Sequence, residues 1–161
     1  VHRLSVEEDK QANTGRLLNI TQCIENNNYT DYEILLDKLW QPHDVTYHDG
    51  KIWLTDSVNS SIVSFDLSTG QRNTITVGEH SRFETDGSIE KEYARGLLFY
   101  DGMTYCGFSC GRHSKFPGNC FIREFDSKTN LLASITDSPA AEIYAIRPAE
   151  NIASFLKRSV L

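Results

Sequence analysis

An all-β fold made of repeated four-stranded antiparallel sheets is what this sequence predicts, and three observations carry the prediction. The stretch QPHDVTYHDGKIWLTDSVNSSIVSFDLSTG, from Gln41 to Gly70, returns in large part further along the chain. Setting Asp49-Gly50 on Asp101-Gly102 lays His43 on Arg95, Val45 on Leu97, Tyr47 on Phe99, Trp53 on Tyr105 and Ser57 on Ser109. The second half of the unit also recurs: Ser64-Phe65-Asp66-Leu67-Ser68-Thr69 matches Glu124-Phe125-Asp126-Ser127-Lys128-Thr129, and a third copy begins at Ala141-Glu142-Ile143-Tyr144-Ala145-Ile146. Within each copy, short runs alternate apolar and polar residues, the period of a strand. A period of roughly 40 to 60 residues with four strands per copy is the pattern of β-propeller blades.

Taken in order, residues 1–40 read as most of one blade, with strand pieces at 2–6, 16–23 and 32–39 separated by turn-forming polar stretches. Its innermost strand is missing, since nothing before His2 can supply it. Residues 41–78 form the clearest blade. An inner strand over 44–47 turns at His48-Asp49-Gly50-Lys51 into a strand over 52–55. Val63, Phe65 and Leu67 alternate with Ser64 and Asp66, as in a strand with one wetter face, and an outer strand follows over 73–77. Residues 78–93 read as a polar loop in which Ser88 caps a single helical turn through Glu92. Residues 94–137 repeat the plan with strands at 94–99, 103–108, 120–125 and 131–136, and a second insertion lies at 111–119. Residues 141–161 open a partial blade, with an inner strand over 142–146 and its partner at 152–156.

That makes about three and a half blades in one domain, where closed rings have roughly four to eight. Unpaired edges and uncovered blade faces are aggregation hazards, so something must close the set. The leading solution is a segment of a larger propeller. The others are a small four-bladed ring whose two ends share a blade, and a homo-oligomer or additional chain that completes the ring.

Composition bounds the function. The chain has 161 residues, a net charge of −6 and 16 scattered basic residues, which argues against nucleic-acid phosphates and anionic membrane surfaces as partners. No apolar run approaches the roughly 18 residues of a membrane span. Four cysteines are too few for a disulfide-dense secreted scaffold, and reduced thiols favour a cytoplasmic protein. The chain starts at Val1 without an initiator Met or targeting segment, as a trimmed chain, a processed product or part of a longer polypeptide would. Localisation therefore stays open. Asn19-Ile20-Thr21, Asn28-Tyr29-Thr30 and Asn59-Ser60-Ser61 have the form of glycosylation sequons, which carry little without a secretory signal.

In a propeller the innermost strands line a central channel, and the repeat places His43, Arg95 and Glu142 at its mouth, each from a different blade. Arg95 could hold a carboxylate or phosphate in two-pronged fashion, with Glu142 orienting it or acting as base and His43 acting as acid, base or ligand. The competing reading pairs Arg95 with Glu142 across the channel and ties His43 to a loop carbonyl. Asp44 cannot readily face His43, because strand neighbours point to opposite faces, and is read as a turn or inter-blade hydrogen-bonding residue. Ser57 and Ser109, at strand ends, are read as satisfying backbone groups rather than as nucleophiles. Cys106 and Cys110 on one strand would stand roughly 13 Å apart, too far for one zinc ion with His113. Cys110 and Cys120 flank the insertion and could form a bridge in an oxidising compartment. Trp53 and Tyr105 are read as inter-blade packing, while His2, His48 and His80 are read as solvated. The run from Gly111 to Lys115 is the single local basic cluster, read as a solvated loop.

The phrase HDGKIWLTDSVNSSIVSFDLSTG is similar to blades of the six-bladed propellers that include gluconolactonase/regucalcin-like, strictosidine-synthase-like and NHL-repeat proteins. QPHDVTYHDGKIWLTDS followed by ARGLLFYDG, CGFS, CFIREFD and AEIYAI resembles a family of uncharacterised bacterial propeller proteins with Pro-His, Trp-His-Asp-Gly, Arg-Gly-Leu and Glu-Ile-Tyr segments, over residues 40–147. The resemblance implies a propeller without an assigned reaction. Lactonase relatives hold a catalytic calcium ion at the channel mouth. Here Pro42-His43-Asp44 stands where they have a Pro-Asn-Gly type motif, and an arginine follows in the next blade, which serves a cation poorly. Strictosidine synthases use a channel glutamate, for which Glu142 is the comparable residue.

The expectation is thus a binding or scaffold protein, with His43, Arg95 and Glu142 as ligand-binding residues for a small polar or anionic ligand, or with a protein partner on the ring. No metal and no cofactor are expected. The alternative is a hydrolase or lyase of the lactonase or strictosidine-synthase kind, with Glu142 and His43 as catalytic candidates and calcium as its ion.

Overall fold

The Asp-Gly turns that anchor the repeat form as the sequence predicts. Asp49 and Gly50 have φ of 49° and 76°, and Asp101 and Gly102 have φ of 50° and 74°. Two successive left-handed residues are the signature of the tight hairpin turn whose twist matches its strands. The computed structural model describes residues 14–78, 82–83, 89–90, 92–110, 120–138, 143 and 145–148. These are all-β with antiparallel pairing, apart from one short helix.

The chain runs β1 (Gly15–Asn19), α1 (Thr21–Glu25), β2 (Glu33–Leu39), β3 (Pro42–His48), β4 (Lys51–Asp56), β5 (Ser61–Asp66), β6 (Arg72–Thr76), β7 (Arg82–Phe83), β8 (Ile89–Glu90), β9 (Glu92–Tyr100), β10 (Met103–Cys110), β11 (Cys120–Phe125) and β12 (Leu131–Ser138). Two sheets are four-stranded meanders, β3-β4-β5-β6 and β9-β10-β11-β12, while β1-β2 and β7-β8 are two-stranded. Among the described residues these sheets do not close into a ring.

The ladders of the two meanders superpose on the sequence repeat. Thr46 pairs with Trp53 as Leu98 pairs with Tyr105, and Ile52 pairs with Phe65 as Thr104 pairs with Phe125. The turns after β5 and β11 are built alike. The Asp66 carboxylate accepts from Ser68 N at 2.9 Å and Thr69 N at 3.1 Å, and that of Asp126 accepts from Lys128 N at 2.9 Å and Asn130 N at 2.8 Å. The Ser68 hydroxyl on Asp66, at 2.6 Å, and the Asn130 side-chain amide on Asp126, at 2.8 Å, together with these backbone bonds, hold both carboxyls below the usual carboxylate range.

The sheets stack in layers, with the β3–β6 sheet in the middle. One of its faces, through Leu54 and Val63, joins Leu17, Leu36 and Leu39 of the two-stranded sheet. The other, through Ile62, joins Ala94, Leu97, Phe108 and Phe121 of the second meander. This corrects the reading of β5 as a strand with one wetter face: Ile62, Val63 and Ser64 are all buried, because both faces of the sheet are covered. The second meander repeats the arrangement. Ile143 and Ile146 lie against its far face, where a Cβ on Gly107 would come within 2.6 Å of Ile143 Cγ2. Glycine is what permits that approach.

Other corrections are local. The strand read over 16–23 stops at Asn19, whose Oδ1 accepts from Thr21 N at 3.1 Å and Thr21 Oγ1 at 2.7 Å. That side-chain competition pulls the backbone out of the ladder and into α1. The stretch 78–93 contains β7 and β8 rather than a helical turn ending at Glu92, which itself begins β9. Residues 143 and 145–148 are not in a strand, although they pack where an inner strand was expected. His48 is not simply solvated: its ring stacks on Phe99 at 4.3 Å and 4°. The expected strands at 2–6 and 152–156, the Ser88 cap, Glu142, His2, His80 and the 111–119 insertion lie outside the described residues.

Candidate functional site

Each meander carries an irregularity near the start of its first strand, offset by a residue or so between the two. In β3 the pairing steps from His43↔Thr55 to Thr46↔Trp53, so Asp44 and Val45 oppose Leu54 alone. In β9 it steps from Ala94↔Phe108 to Gly96↔Gly107, leaving Arg95 as the extra residue. A β-bulge of this kind bends the strand and re-aims a side chain. Asp44, left-handed at φ 47°, is re-aimed out of its own sheet. Its Oδ2 accepts from Leu97 N of β9 at 2.6 Å. Arg147 then closes on the same carboxylate, with Nη2 3.0 Å from Oδ1. The inter-sheet role expected for Asp44 is what its contacts show, and it leaves the carboxylate engaged on both oxygens.

The main chains of His43 and Arg95 meet. Thr55 Oγ1 lies 3.1 Å from the His43 carbonyl oxygen and 3.2 Å from that of Arg95. The two residues that the repeat set at equivalent positions are thus brought to one buried hydroxyl. Their side chains differ in access: His43 is half-buried, whereas Arg95 is only 9 % exposed, its guanidinium 6.0 Å above the Tyr93 ring. Glu142 lies outside the described residues, but its neighbour Ile143 is fixed, donating its N–H to Ser109 Oγ at 2.8 Å.

Serine hydroxyls hand each layer to the next. Ser57 Oγ donates to the Ala94 carbonyl at 2.6 Å, and its repeat partner Ser109 donates to the Ile143 carbonyl at 3.2 Å. Ser60 Oγ donates to the Glu92 carbonyl. Both hydroxyls are spent on backbone groups rather than on a histidine that would activate a nucleophile, Ser57 on Ala94 and Ser109 on Ile143.

Two buried acids were not anticipated as structural centres. Glu92, 2 % exposed, meets Arg123 in a two-pronged pair, Oε2 to Nη1 at 2.7 Å and Oε1 to Nη2 at 3.1 Å. The Arg123 guanidinium lies 4.8 Å from the centres of both the Phe108 and Phe121 rings, and Nη1 also donates to the Val77 carbonyl at 3.1 Å. Asp56 accepts from Trp40 N at 2.7 Å and Asn59 Nδ2 at 2.8 Å, joining the β2–β3 connection to the β4–β5 turn. Burial pushes its carboxyl up, against those two hydrogen bonds. The sequence signal for Arg123 was a charge directly after the apolar run Cys120-Phe121-Ile122, in a strand that also carries Glu124. Glu92 was hidden by the polar stretch before it.

Among the described residues no group of three His, Cys, Asp or Glu side chains could hold a metal ion. Cys23 and Cys106 are free thiols, and burial pushes that of Cys106 far up. The Cys110 side chain lies outside the described residues, and with it the question of a bridge to Cys120. No helix among the described residues is long and apolar enough to cross a membrane. No family model matches the chain, and no curated protein matches it.

Proposed function

We propose that the two meanders are successive blades of a β-propeller and that the chain works as a binding or scaffold segment of that ring. In this reading the channel mouth, formed by His43, Arg95 and Glu142, takes a small anionic or polar ligand. The observation that supports it is the repeated hand-over between layers. A first-strand bulge is present in both meanders, and the same serine-to-carbonyl bond recurs from the first meander to the second and from the second to Ile143. A constant step between equivalent sheets is what turns a stack into a ring. Further blades come from more of the same polypeptide, or from a second copy or another chain, which light scattering on the intact protein distinguishes.

The ligand reading rests on His43 being half-buried while its carbonyl shares the Thr55 hydroxyl with that of the buried Arg95, so that an anion would meet an imidazole with a guanidinium on the adjoining strand. Isothermal titration with succinate and with inorganic phosphate tests it. Saturable heat that disappears in His43→Gln and in Glu142→Gln supports the site. Titrations that are flat for both probes, or heat unchanged in both variants, reject the ligand pocket and leave the scaffold role.

A further inference from the structure

A second concavity is lined by residues other than those of that mouth. It is a groove of about 540 Å³ lined by Leu18, Ile20, Cys23, Ile24, Tyr29 and Tyr32, where α1 stands beside the end of the two-stranded sheet. The segment 20–32 that forms it is held by polar bonds rather than by burial. Cys23 Sγ donates to the Asp31 carbonyl at 2.9 Å, Asn26 Nδ2 donates to the Asp31 carboxylate at 2.7 Å, and Asn28 Oδ1 accepts from Thr30 N at 3.2 Å. No residue of α1 is buried. Ile24 is 73 % exposed and Tyr29 88 %, with Ile20, Tyr32 and Ile34 exposed around them. An ordered segment that turns its apolar side chains outward, around a concavity, has the form of an interaction surface.

Charge selects the occupant. From Asn19 to Leu36, toward the groove's end of the sheet, the chain carries Glu25, Asp31 and Glu33 and no Lys, Arg or His. We propose that this groove docks a short segment of a partner protein that carries aliphatic anchors flanked by lysines or arginines. The anchors fill the space between Leu18, Ile24 and Tyr29, and the basic residues meet the carboxylates at the rim, setting orientation and on-rate more than strength. The groove is small beside a stable protein interface, so the complex is of the weak, transient class. The inference stands apart from the propeller reading, since it uses only β1, α1 and β2.

The probe is a fluorescein-labelled peptide of alternating leucine and lysine, followed by anisotropy, with two control peptides in which either the leucines become serine or the lysines become glutamate. The leucine–lysine peptide is expected to bind and each control to bind at least about tenfold more weakly, equivalent to about 1.4 kcal/mol. Ile24→Ser and Tyr29→Ser, both at exposed positions, should each weaken binding several-fold without changing the thermal unfolding midpoint, and Glu25→Lys should flatten its salt dependence. A serine–lysine peptide that binds as tightly, or binding untouched by both groove variants, overturns the proposal. So does concentration-dependent self-association abolished by Ile24→Ser, which would make a second copy of this chain the occupant.

Discussion

The middle sheet has two seams, and they are made of different materials. Toward the two-stranded sheet its buried contacts are aliphatic, with Leu54 and Val63 meeting Leu17, Leu36 and Leu39, and an exposed hydrogen bond from Arg72 Nη1 to the Asp37 carbonyl at 3.1 Å lies at the margin. Toward the second meander an apolar cluster is threaded with directed polar contacts: Asp44 to Leu97 N, Thr55 and Ser57 to carbonyls of β9, and Arg123, paired with Glu92 inside the second meander beside the stacked Phe108 and Phe121 rings, to the Val77 carbonyl. Apolar burial supplies strength but no direction, so an aliphatic seam tolerates sliding. Hydrogen bonds at 2.6 to 3.2 Å are satisfied in one register only. The difference teaches that the angle between equivalent sheets, which decides whether a stack curves into a ring, is set by the polar seam.

The strongest way to break that comparison is at Arg123. Replacing it by alanine leaves Glu92 buried and unpaired, with an expected loss of about 3–5 kcal/mol in urea unfolding. The double variant Arg123→Met with Glu92→Gln removes both charges and should recover a large part of the loss. In the aliphatic seam, by contrast, Leu54→Ala is expected to lose about 2–5 kcal/mol through its cavity, with no partner substitution that restores it. Equal losses in the single and double variants at the polar seam would show that packing around Phe108 and Phe121, not the ion pair, holds it.

A smaller effect is expected at Ser57, whose hydroxyl satisfies the buried Ala94 carbonyl. Ser57→Ala should lose about 1–3 kcal/mol, the cost of an orphaned buried acceptor, and Ser57→Thr should keep part of the bond at the expense of crowding. Hydrogen exchange at Leu97 N, the neighbouring inter-sheet donor, reads whether the seam opens locally. Unchanged exchange in Ser57→Ala would show that the serine contributes nothing to the seam.

Much of this was legible in the residues. The alignment of Asp49-Gly50 with Asp101-Gly102 placed both hairpins and the ladders beyond them, because turn chemistry and period-two patterning are local properties that tertiary packing here reinforces. Cys120–Phe125 forms over the residues expected. What was not legible depends on partners distant in sequence. Ser64 looks like a surface residue and is buried, because a second sheet covers its face. Asn19 sits inside an apparent strand and ends it by bonding Thr21. At the candidate mouth the repeat set His43 against Arg95 but could not reveal that Thr55 joins their carbonyls, nor that Arg147 closes on Asp44. A repeat tells which positions are equivalent, and only the packed layers tell what each position touches.

The finest expected effect separates the seams by pH and rests on Asp56. Its carboxyl, 2 % exposed, bridges the connection from β2 into β3 to the turn after β4, which puts it beside the aliphatic seam. Burial raises its pKa above the ordinary value of 3.8 despite the hydrogen bonds from Asn59 and Trp40. A carboxyl whose folded pKa is raised binds its proton more readily in the folded state. Its contribution is therefore fully present below 3.8 and is lost as pH rises through the folded value. Asp56→Asn cannot lose it in that way, and can still accept from Trp40 N. The stability of Asp56→Asn relative to the unsubstituted protein is accordingly expected to improve as the pH is raised from below 3.8 to neutrality, measured by urea unfolding at paired pH values. An Asp56→Asn difference that is flat with pH, or that worsens toward neutrality, would mean that the hydrogen bonds to Asp56 outweigh its burial and that this junction, like the other seam, is held by a satisfied charge.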